Sequence, residues 1–133
     1  MAAKDEVGRH GEDVVARALE EQGWEVLTRN WRCTLGEIDI VARDGGDAVV
    51  VEVKTRRAAT FGSPVEAVTR VKVARLRRLA AAWLASQESH FDGIRIDVVG
   101  VTLPAAGRCL DSRARCPMSC GVEYSAMTRG CGL

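Results

Sequence analysis

The stretch GEIDIVARDGGDAVVVEVKTR, residues 36–56, limits the possible folds more than any other part of the chain. Two apolar runs rich in β-branched residues flank the tight turn DGGD, which is a composition typical of a β-hairpin. Asp39, Glu52 and Lys54 nevertheless lie within these runs. A charged group is costly to bury in a sheet unless a partner or a metal ion compensates for its lost hydration. The hairpin therefore predicts either a structural ion pair or a chemical site.

The segments around the hairpin predict an α/β fold. An amphipathic stripe predicts a helix over about residues 4–22, and the run WEVLTRNWRC predicts a strand ahead of the hairpin. After the hairpin we expect a second helix, which begins at a capping box formed by Ser63 and Glu66 and either runs on to about Ser86 or breaks near Thr69. The alternating run GIRIDVVGVTL then predicts a fourth strand, parallel to the third. The expected core is α-β-β-β-α-β, a mixed central sheet flanked by helices.

The chain is predicted to divide near residue 103. Residues 1–103 are expected to form one domain, whereas residues 104–133 show no sustained periodicity and are predicted to be an irregular tail. Four of the five cysteines lie in this tail, at Cys109, Cys116, Cys120 and Cys131. Their spacing lacks the paired C-x2-C units typical of zinc sites, so we expect no zinc there. A sheet edge left uncovered by such a tail would favour association.

The charge of the chain is balanced overall but clustered locally. The formal net charge is +1 at pH 7, yet eight basic residues and one acid lie between Lys54 and Arg78. Such a strip attracts phosphate, although a solvated helix face has the same composition. No apolar run reaches the roughly 18 residues that a membrane span needs, and the N-terminus lacks the apolar region of a secretory signal. We therefore expect a cytoplasmic protein without a membrane partner.

Strand alternation is expected to bring the charged residues of the hairpin together. Glu52 and Lys54 share one face of their strand, while the valines between and before them face the core. With a turn centred near Gly45 and Gly46, Asp39 lies opposite or diagonal to Glu52. Two adjacent carboxylates repel each other unless a cation lies between them, and Mg²⁺ accepts carboxylate, carbonyl and water oxygens. Lys54 is then placed to orient a water that attacks a phosphodiester.

The spacing Asp-x12-Glu-x-Lys resembles the PD-(D/E)xK signature of restriction endonucleases and archaeal-type Holliday-junction resolvases. The stretches GRHGEDVVARAL, GWEVLTRNWRCTLGEIDIVARD, VVVEVKTRRAATFGSPVEAVTRVKVARLRRLA and RIDVVGV are similar to the YraN family of predicted bacterial endonucleases, and they cover roughly residues 8–101. The resemblance implies a restriction-endonuclease-like fold and an endonuclease that depends on Mg²⁺ or Mn²⁺. It also implies that the substrate is DNA, structured or branched, and it suggests a homodimer.

The resemblance also implies roles for individual residues. Asp39, Glu52 and Lys54 match the metal-binding and catalytic triplet, and Glu12 matches an additional acid beside the metal. Asp13 fits that last role equally well, and the dipole of the first helix alone also accounts for an acid at this position. The alternative for the whole site is a structural ion pair between Lys54 and one of the carboxylates.

Three basic residues are candidates for binding nucleic acid. Arg56, Arg57 and Lys72 lie in the basic strip and are placed to contact the phosphate backbone, with solvated surface charges as the alternative. No sequence feature indicates base reading, so structure-specific or non-specific cutting is expected. A second hypothesis is an accessory protein that has the same fold and binds nucleic acid without cleaving it.

The remaining charged residues are not expected to act as ligands. Glu37 is predicted to face away from the carboxylate site. Asp97 is expected to pair with Arg95 or with the sheet edge. His10 and His90 are isolated in the sequence, and neither has a second metal-type ligand nearby.

Overall fold

The computed structural model describes residues 6–57, 69–103 and 121–130, with the side chains of residues 8–55 and 69–102. The elements in chain order are α1 (Glu6–Glu21), β1 (Glu25–Cys33), β2 (Gly36–Asp44), β3 (Asp47–Arg57), α2 (Arg70–Ala85), β4 (Gly93–Leu103) and β5 (Gly121–Gly130). The described strands form a sheet in the order β1-β2-β3-β4-β5. Strands β3 and β4 are parallel, and the other neighbouring pairs are antiparallel. The predicted mixed sheet with its α-β-β-β-α-β core is confirmed.

The two helices cover opposite faces of the sheet. Val49 and Val51 of β3 pack in an apolar cluster with Val15 of α1. Val50, between them, packs in a second cluster with Trp83 of α2. Because side chains alternate along a strand, these clusters lie on the two faces of β3, which explains its nearly continuous apolar sequence. Neither described helix combines the length and apolar composition needed to cross a membrane.

Helix α1 approaches the C-terminal half of β3 closely. Gly11 faces Thr55, and a Cβ atom at Gly11 would overlap the Thr55 hydroxyl group. A residue without a side chain is therefore required for this contact. The close approach seats the neighbouring Glu12 against the sheet, where only 3% of its surface is exposed.

Helix α2 begins at Arg70, next to the break that was predicted near Thr69. Thr69 has the extended backbone of an N-cap, and its hydroxyl oxygen accepts a hydrogen bond from the Lys72 N–H at 3.3 Å. The capping box predicted from Ser63 and Glu66 lies outside the described residues. The side of α2 that packs on the sheet consists of Leu76, Leu79, Ala80 and Trp83.

The prediction of an irregular tail is wrong for residues 121–130, which form strand β5. This strand pairs antiparallel with β4 from Ile94↔Gly130 to Thr102↔Gly121 and so covers the edge of β4 that the sequence left unassigned. Residues 104–120 and 131–133 lie outside the described part of the chain, together with the four tail cysteines. The predicted domain boundary near residue 103 stays a prediction.

Candidate functional site

Strands β2 and β3 separate at Asp39. Their backbone ladder ends at the pair Ile40 and Val51, and the same register places Asp39 beside Glu52. In place of another backbone pair, Oδ2 of Asp39 accepts a hydrogen bond from the Val53 N–H at 2.9 Å. The carboxylate thus substitutes for a strand carbonyl and is held at the fork between the two strands.

The alternation of β2 is interrupted at this fork. Regular alternation would place Ile38 and Ile40, on either side of Asp39, on one face of the sheet, but these two side chains belong to different clusters. Ile38 packs in the cluster of α2, and Ile40 packs in the cluster of α1. On β1 the register places Asn30 opposite Asp39, and Asn30 has a left-handed backbone with φ of 54°. The irregular backbone of β1 thus coincides with the break in alternation.

A cavity of about 250 Å³ lies at the fork, between the sheet and α2. It is lined by three acids, three bases and two leucines: Glu37, Asp39, Glu52, Lys54, Lys72, Arg75, Leu76 and Leu79. Asp39, Glu52 and Lys54 therefore meet in one cavity, which is the geometry that the strand pattern predicts. Their chemical role stays a prediction.

The cavity is electrostatically unfavourable for a second negative charge. Lys54 Nζ lies 3.2 Å from Glu52 Oε1, so the ion pair weighed as the structural alternative is present. Burial of Glu52, followed by the charge of Asp39, nevertheless raises the pKa of Glu52 to about 7, although Lys54 lowers it. Lys54 therefore compensates only part of the cost of keeping both carboxylates ionised. A divalent cation would compensate the rest.

The free energy of unfolding of the metal-free protein is expected to fall as the pH rises through the range of this titration. Burial raises the folded-state pKa of Glu52 from its ordinary value of 4.5 to about 7. Protonated Glu52 contributes its full stabilisation below the ordinary pKa, and this stabilisation is lost as the pH rises through the folded-state pKa. The free energy of unfolding falls by about 3 kcal/mol across this range. The measurement is urea unfolding in EDTA from about pH 4 to about pH 9, with Glu52→Gln as the matched variant. Parallel stability curves for the two proteins would contradict this expectation.

Glu37 lines the same cavity as Asp39, so the prediction that it faces away was wrong. Residues two apart on a strand share a face, and the fork does not change this for Glu37. Its Oε2 lies 3.5 Å from Arg32 Nε, which assigns Glu37 a partner on β1.

Glu12 is buried on α1 and is not among the residues that line the cavity. Its Oε2 lies 3.9 Å from Arg29 Nη2, and the same nitrogen lies 2.7 Å from Asp13 Oδ1. Among the side chains that the structure describes, no group of three acids, histidines or cysteines has a geometry suited to hold a metal ion. The role of Glu12 as a ligand therefore stays a prediction.

The two carboxylates that do meet in the cavity suit a magnesium ion. Mg²⁺ is commonly bound by one or two protein carboxylates and keeps several waters, so it does not require a complete protein cage. Asp39 and Glu52 supply such a pair, and the raised pKa of Glu52 shows that their negative charge is incompletely balanced. The residues present fit this cation.

The predicted nucleic-acid contacts differ in how far the structure describes them. Lys72 lines the cavity. Arg56 and Arg57 end β3, but their side chains lie outside the described part of the structure. Arg75 also lines the cavity and was not among the predicted site residues. Whether Arg75 reaches the cavity depends on how α2 is rotated about its axis relative to the sheet. The sequence motif carries no information about this rotation.

The other predictions concern residues away from the cavity. Asp97 pairs with Arg95, as expected, with Nε of the guanidinium 3.2 Å from Oδ2. His90 is exposed beside Asp92, with 3.4 Å between Nε2 and Oδ1. Neither His10 nor His90 is among the cavity residues.

The fold and the cavity define a mixed α/β protein with two carboxylates and a lysine at a fork between strands. The chain belongs to the uncharacterised protein family UPF0102, whose family model matches residues 11–101. This is the YraN family, so the resemblance inferred from the sequence motifs is confirmed.

Several relatives share most of their length with this chain. A UPF0102 protein from Beutenbergia cavernae is 59% identical over 107 residues, which are 80% of this chain and 91% of the relative. The UPF0102 protein of Kineococcus radiotolerans is 56% identical, with coverage of 80% and 88%. That of Streptomyces griseus is 52% identical, with coverage of 86% and 98%. These relatives establish the family and leave the function open.

Proposed function

We propose that this protein is an endonuclease that uses a divalent metal ion to hydrolyse phosphodiester bonds in DNA, with structured or branched DNA as its substrate. The observation that carries the proposal is the pairing of Asp39 and Glu52 in one cavity, where the pKa of Glu52 is raised to about 7 by burial and by Asp39. Buried carboxylates held together in this way favour a bound cation, because a cation removes their repulsion.

Each cavity residue has a role in this proposal. Asp39 and Glu52 would hold Mg²⁺ or Mn²⁺, which when bound supplies an acidified water and neutralises charge on the phosphodiester. The Val53 N–H fixes one oxygen of Asp39 and so restricts the rotation of that carboxylate. Lys54 orients the attacking water and stabilises the negative charge that develops on the phosphate oxygens. The attacking water gives its proton to bulk water as its oxygen bonds to phosphorus. The bond from phosphorus to the leaving sugar oxygen breaks as that oxygen takes a proton from bulk water, which leaves one phosphomonoester and one sugar hydroxyl group.

The charge of α2 supports nucleic acid as the substrate. The helix sequence RVKVARLRRLAAAWLA has no acid and contains five bases, namely Arg70, Lys72, Arg75, Arg77 and Arg78. Basic side chains beside the cavity attract the phosphate backbone of any sequence, and such contacts position the substrate without reading bases. Arg56 and Arg57, at the end of β3, extend this basic surface in the proposal.

A cleavage assay tests the proposal. Branched, duplex and single-stranded DNA and a structured RNA are each incubated with the protein in Mg²⁺, in Mn²⁺ or in EDTA. We expect cutting of branched or structured DNA with either metal and none in EDTA. Asp39→Asn is expected to slow cutting by at least about 10²-fold, because one of the two negative charges that hold the cation is removed.

Asp92→Asn is the matched control for this substitution. Asp92 is 74% exposed, and its N–H donates to the carbonyl of Gly46 in the turn at the opposite end of β3. Wild-type rates are expected for this variant. Binding of DNA without cutting in either metal would favour the accessory-protein hypothesis, and the absence of both binding and cutting would overturn both.

A further inference from the structure

Arg75 is a basic cavity residue that the carboxylate–lysine motif does not include. It lies on α2 and lines the cavity beside Lys72. Its Nη2 lies 2.5 Å from the position that a Cβ atom at Gly36 would occupy. Gly36 has a backbone φ of 141°, which residues with a side chain rarely adopt. The first residue of β2 thus leaves room for the Arg75 guanidinium at the rim of the cavity.

The helical position of Arg75 directs it toward the fork. Leu76 and Leu79 on the same side of α2 are buried against the sheet and form the apolar wall of the cavity. Arg77 is two positions further and lies about 160° from Arg75 around the helix axis. Among the described side chains, Arg75 has no acidic partner within ion-pair distance. Its charge is therefore available to a ligand.

The α2 side of the cavity is basic, whereas the sheet side carries three acids, including Glu37, together with Lys54. Lys72 and Arg75 reach it from α2, whereas Asp39 and Glu52 reach it from the sheet. A guanidinium group suits phosphate because its planar donors can bind two oxygens at once. The volume of about 250 Å³ lies below the range of about 300–1,000 Å³ typical of drug-sized ligands, so it suits a phosphodiester group better than an extruded nucleotide.

We propose that Arg75 binds a non-bridging oxygen of the scissile phosphodiester and thereby positions the phosphorus atom against the Asp39–Glu52 pair. This inference rests on the proposed function, and it assigns the substrate contact of the same site. Gly36 contributes by its lack of a side chain, because any Cβ atom there would displace the guanidinium.

The test compares Arg75→Gln and Arg75→Lys with Arg17→Gln, which removes the same charge from an exposed position of α1, on the opposite face of the sheet. We expect Arg75→Gln to lower kcat/KM by about 10- to 100-fold, which is the range for one hydrogen bond to a charged group. Arg75→Lys is expected to recover part of this loss. Arg17→Gln is expected to remain within about 2-fold of wild type, because Arg17 belongs neither to the cavity nor to the basic surface of α2.

A modified substrate separates phosphate binding from a structural role. Once the wild-type cut is mapped, a methylphosphonate replaces the scissile phosphate, and binding is measured in Ca²⁺ without turnover. Wild type is expected to bind this neutral substrate at least about 10-fold more weakly than normal DNA. The difference is expected to be smaller in Arg75→Gln, which keeps only the contacts that the bound metal ion and Lys54 make with the phosphate. A merely structural role would weaken binding of both substrates by the same factor.

The outcomes distinguish the two proposals. If wild type cuts DNA but Arg75→Gln keeps the wild-type kcat/KM, or if both proteins respond equally to the methylphosphonate, the role of Arg75 is overturned and the endonuclease proposal stands. If wild type neither cuts nor binds DNA, the endonuclease proposal fails and the role of Arg75 fails with it. If thermal unfolding shows that Arg75→Gln is poorly folded, the same two substrates are compared in Arg75→Lys, which keeps the charge but loses the two-oxygen geometry. A smaller response to the methylphosphonate than in wild type supports the role of Arg75, and an equal response overturns it.

Discussion

Glu52→Gln is expected to lower the rate of metal-dependent DNA cleavage by about 10³-fold. Glutamine has nearly the same shape as glutamate and keeps a hydrogen-bonding oxygen, but it lacks the negative charge needed to hold a cation beside Asp39. It also removes the partner whose Oε1 lies 3.2 Å from Lys54 Nζ, so the ammonium group loses its fixed position. Single-turnover cleavage at saturating DNA measures this effect on the chemical step without a contribution from product release.

Glu88→Gln is the matched control, because it removes the same charge from an exposed position after α2. It is expected to cleave at the wild-type rate. A Glu52→Gln protein that also cleaves at the wild-type rate would contradict the carboxylate-pair site. Equal losses in both variants would mean that the overall charge of the protein, and not the cavity, determines the rate.

The same Glu52→Gln substitution is expected to stabilise the metal-free protein at high pH. Glutamine carries no charge to bury, whereas the raised pKa of Glu52 means that its ionised form is unfavourable in the folded state. Activity and stability are thus expected to change in opposite directions. A residue selected only for the ion pair with Lys54 would lower stability when replaced, so the sign of the stability change separates a functional carboxylate from a structural one.

Most of the fold follows from local sequence patterns. The turn DGGD and the apolar runs around it define β2 and β3. The helical spacing of the apolar residues from Leu76 to Trp83 defines the helix of the crossover. Strand β5 was predicted as an irregular tail, although Val122, Tyr124 and Ala126 alternate with Glu123 and Ser125 as in a short strand. Its pairing depends on the open edge of β4, which is a property of the assembled sheet and not of the segment itself.

Some residues of the candidate site could likewise be predicted from the sequence, and others could not. Asp39, Glu52 and Lys54 follow from a two-residue period and one short hairpin, which are local features. The place of Arg75 could not be predicted, because it depends on how α2 is rotated over the sheet and on the space left by Gly36. Glu37 could have been placed from the same two-residue period, so its omission was an error of interpretation and not a limit of the sequence.

Arg95→Met is expected to be the most destabilising single change considered for this protein, with a loss of about 3–5 kcal/mol. Asp97 is completely buried, and Arg95 Nε lies 3.2 Å from its Oδ2. The Nη1 atom of Arg95 also lies 3.1 Å from Asp44 Oδ2, and its guanidinium stacks 4.8 Å from the centre of the Trp24 ring. Removal of the cation leaves a buried carboxylate without its countercharge, which is far more costly than the loss of an exposed ion pair.

Arg43→Met is the control for the loss of an arginine that contacts an aromatic ring. The Arg43 guanidinium lies 4.3 Å from the centre of the Phe91 ring, and its replacement is expected to cost about 1 kcal/mol or less. Urea unfolding measures both variants, and the double substitution Arg95→Met with Asp97→Asn identifies the cause. If the buried charge is responsible, the added Asp97→Asn recovers part of the lost stability. A double variant less stable than Arg95→Met alone would instead show that Asp97 supports β4 through contacts other than its charge. The destabilisation by Arg95→Met would then come from its lost contacts with Asp44 and Trp24.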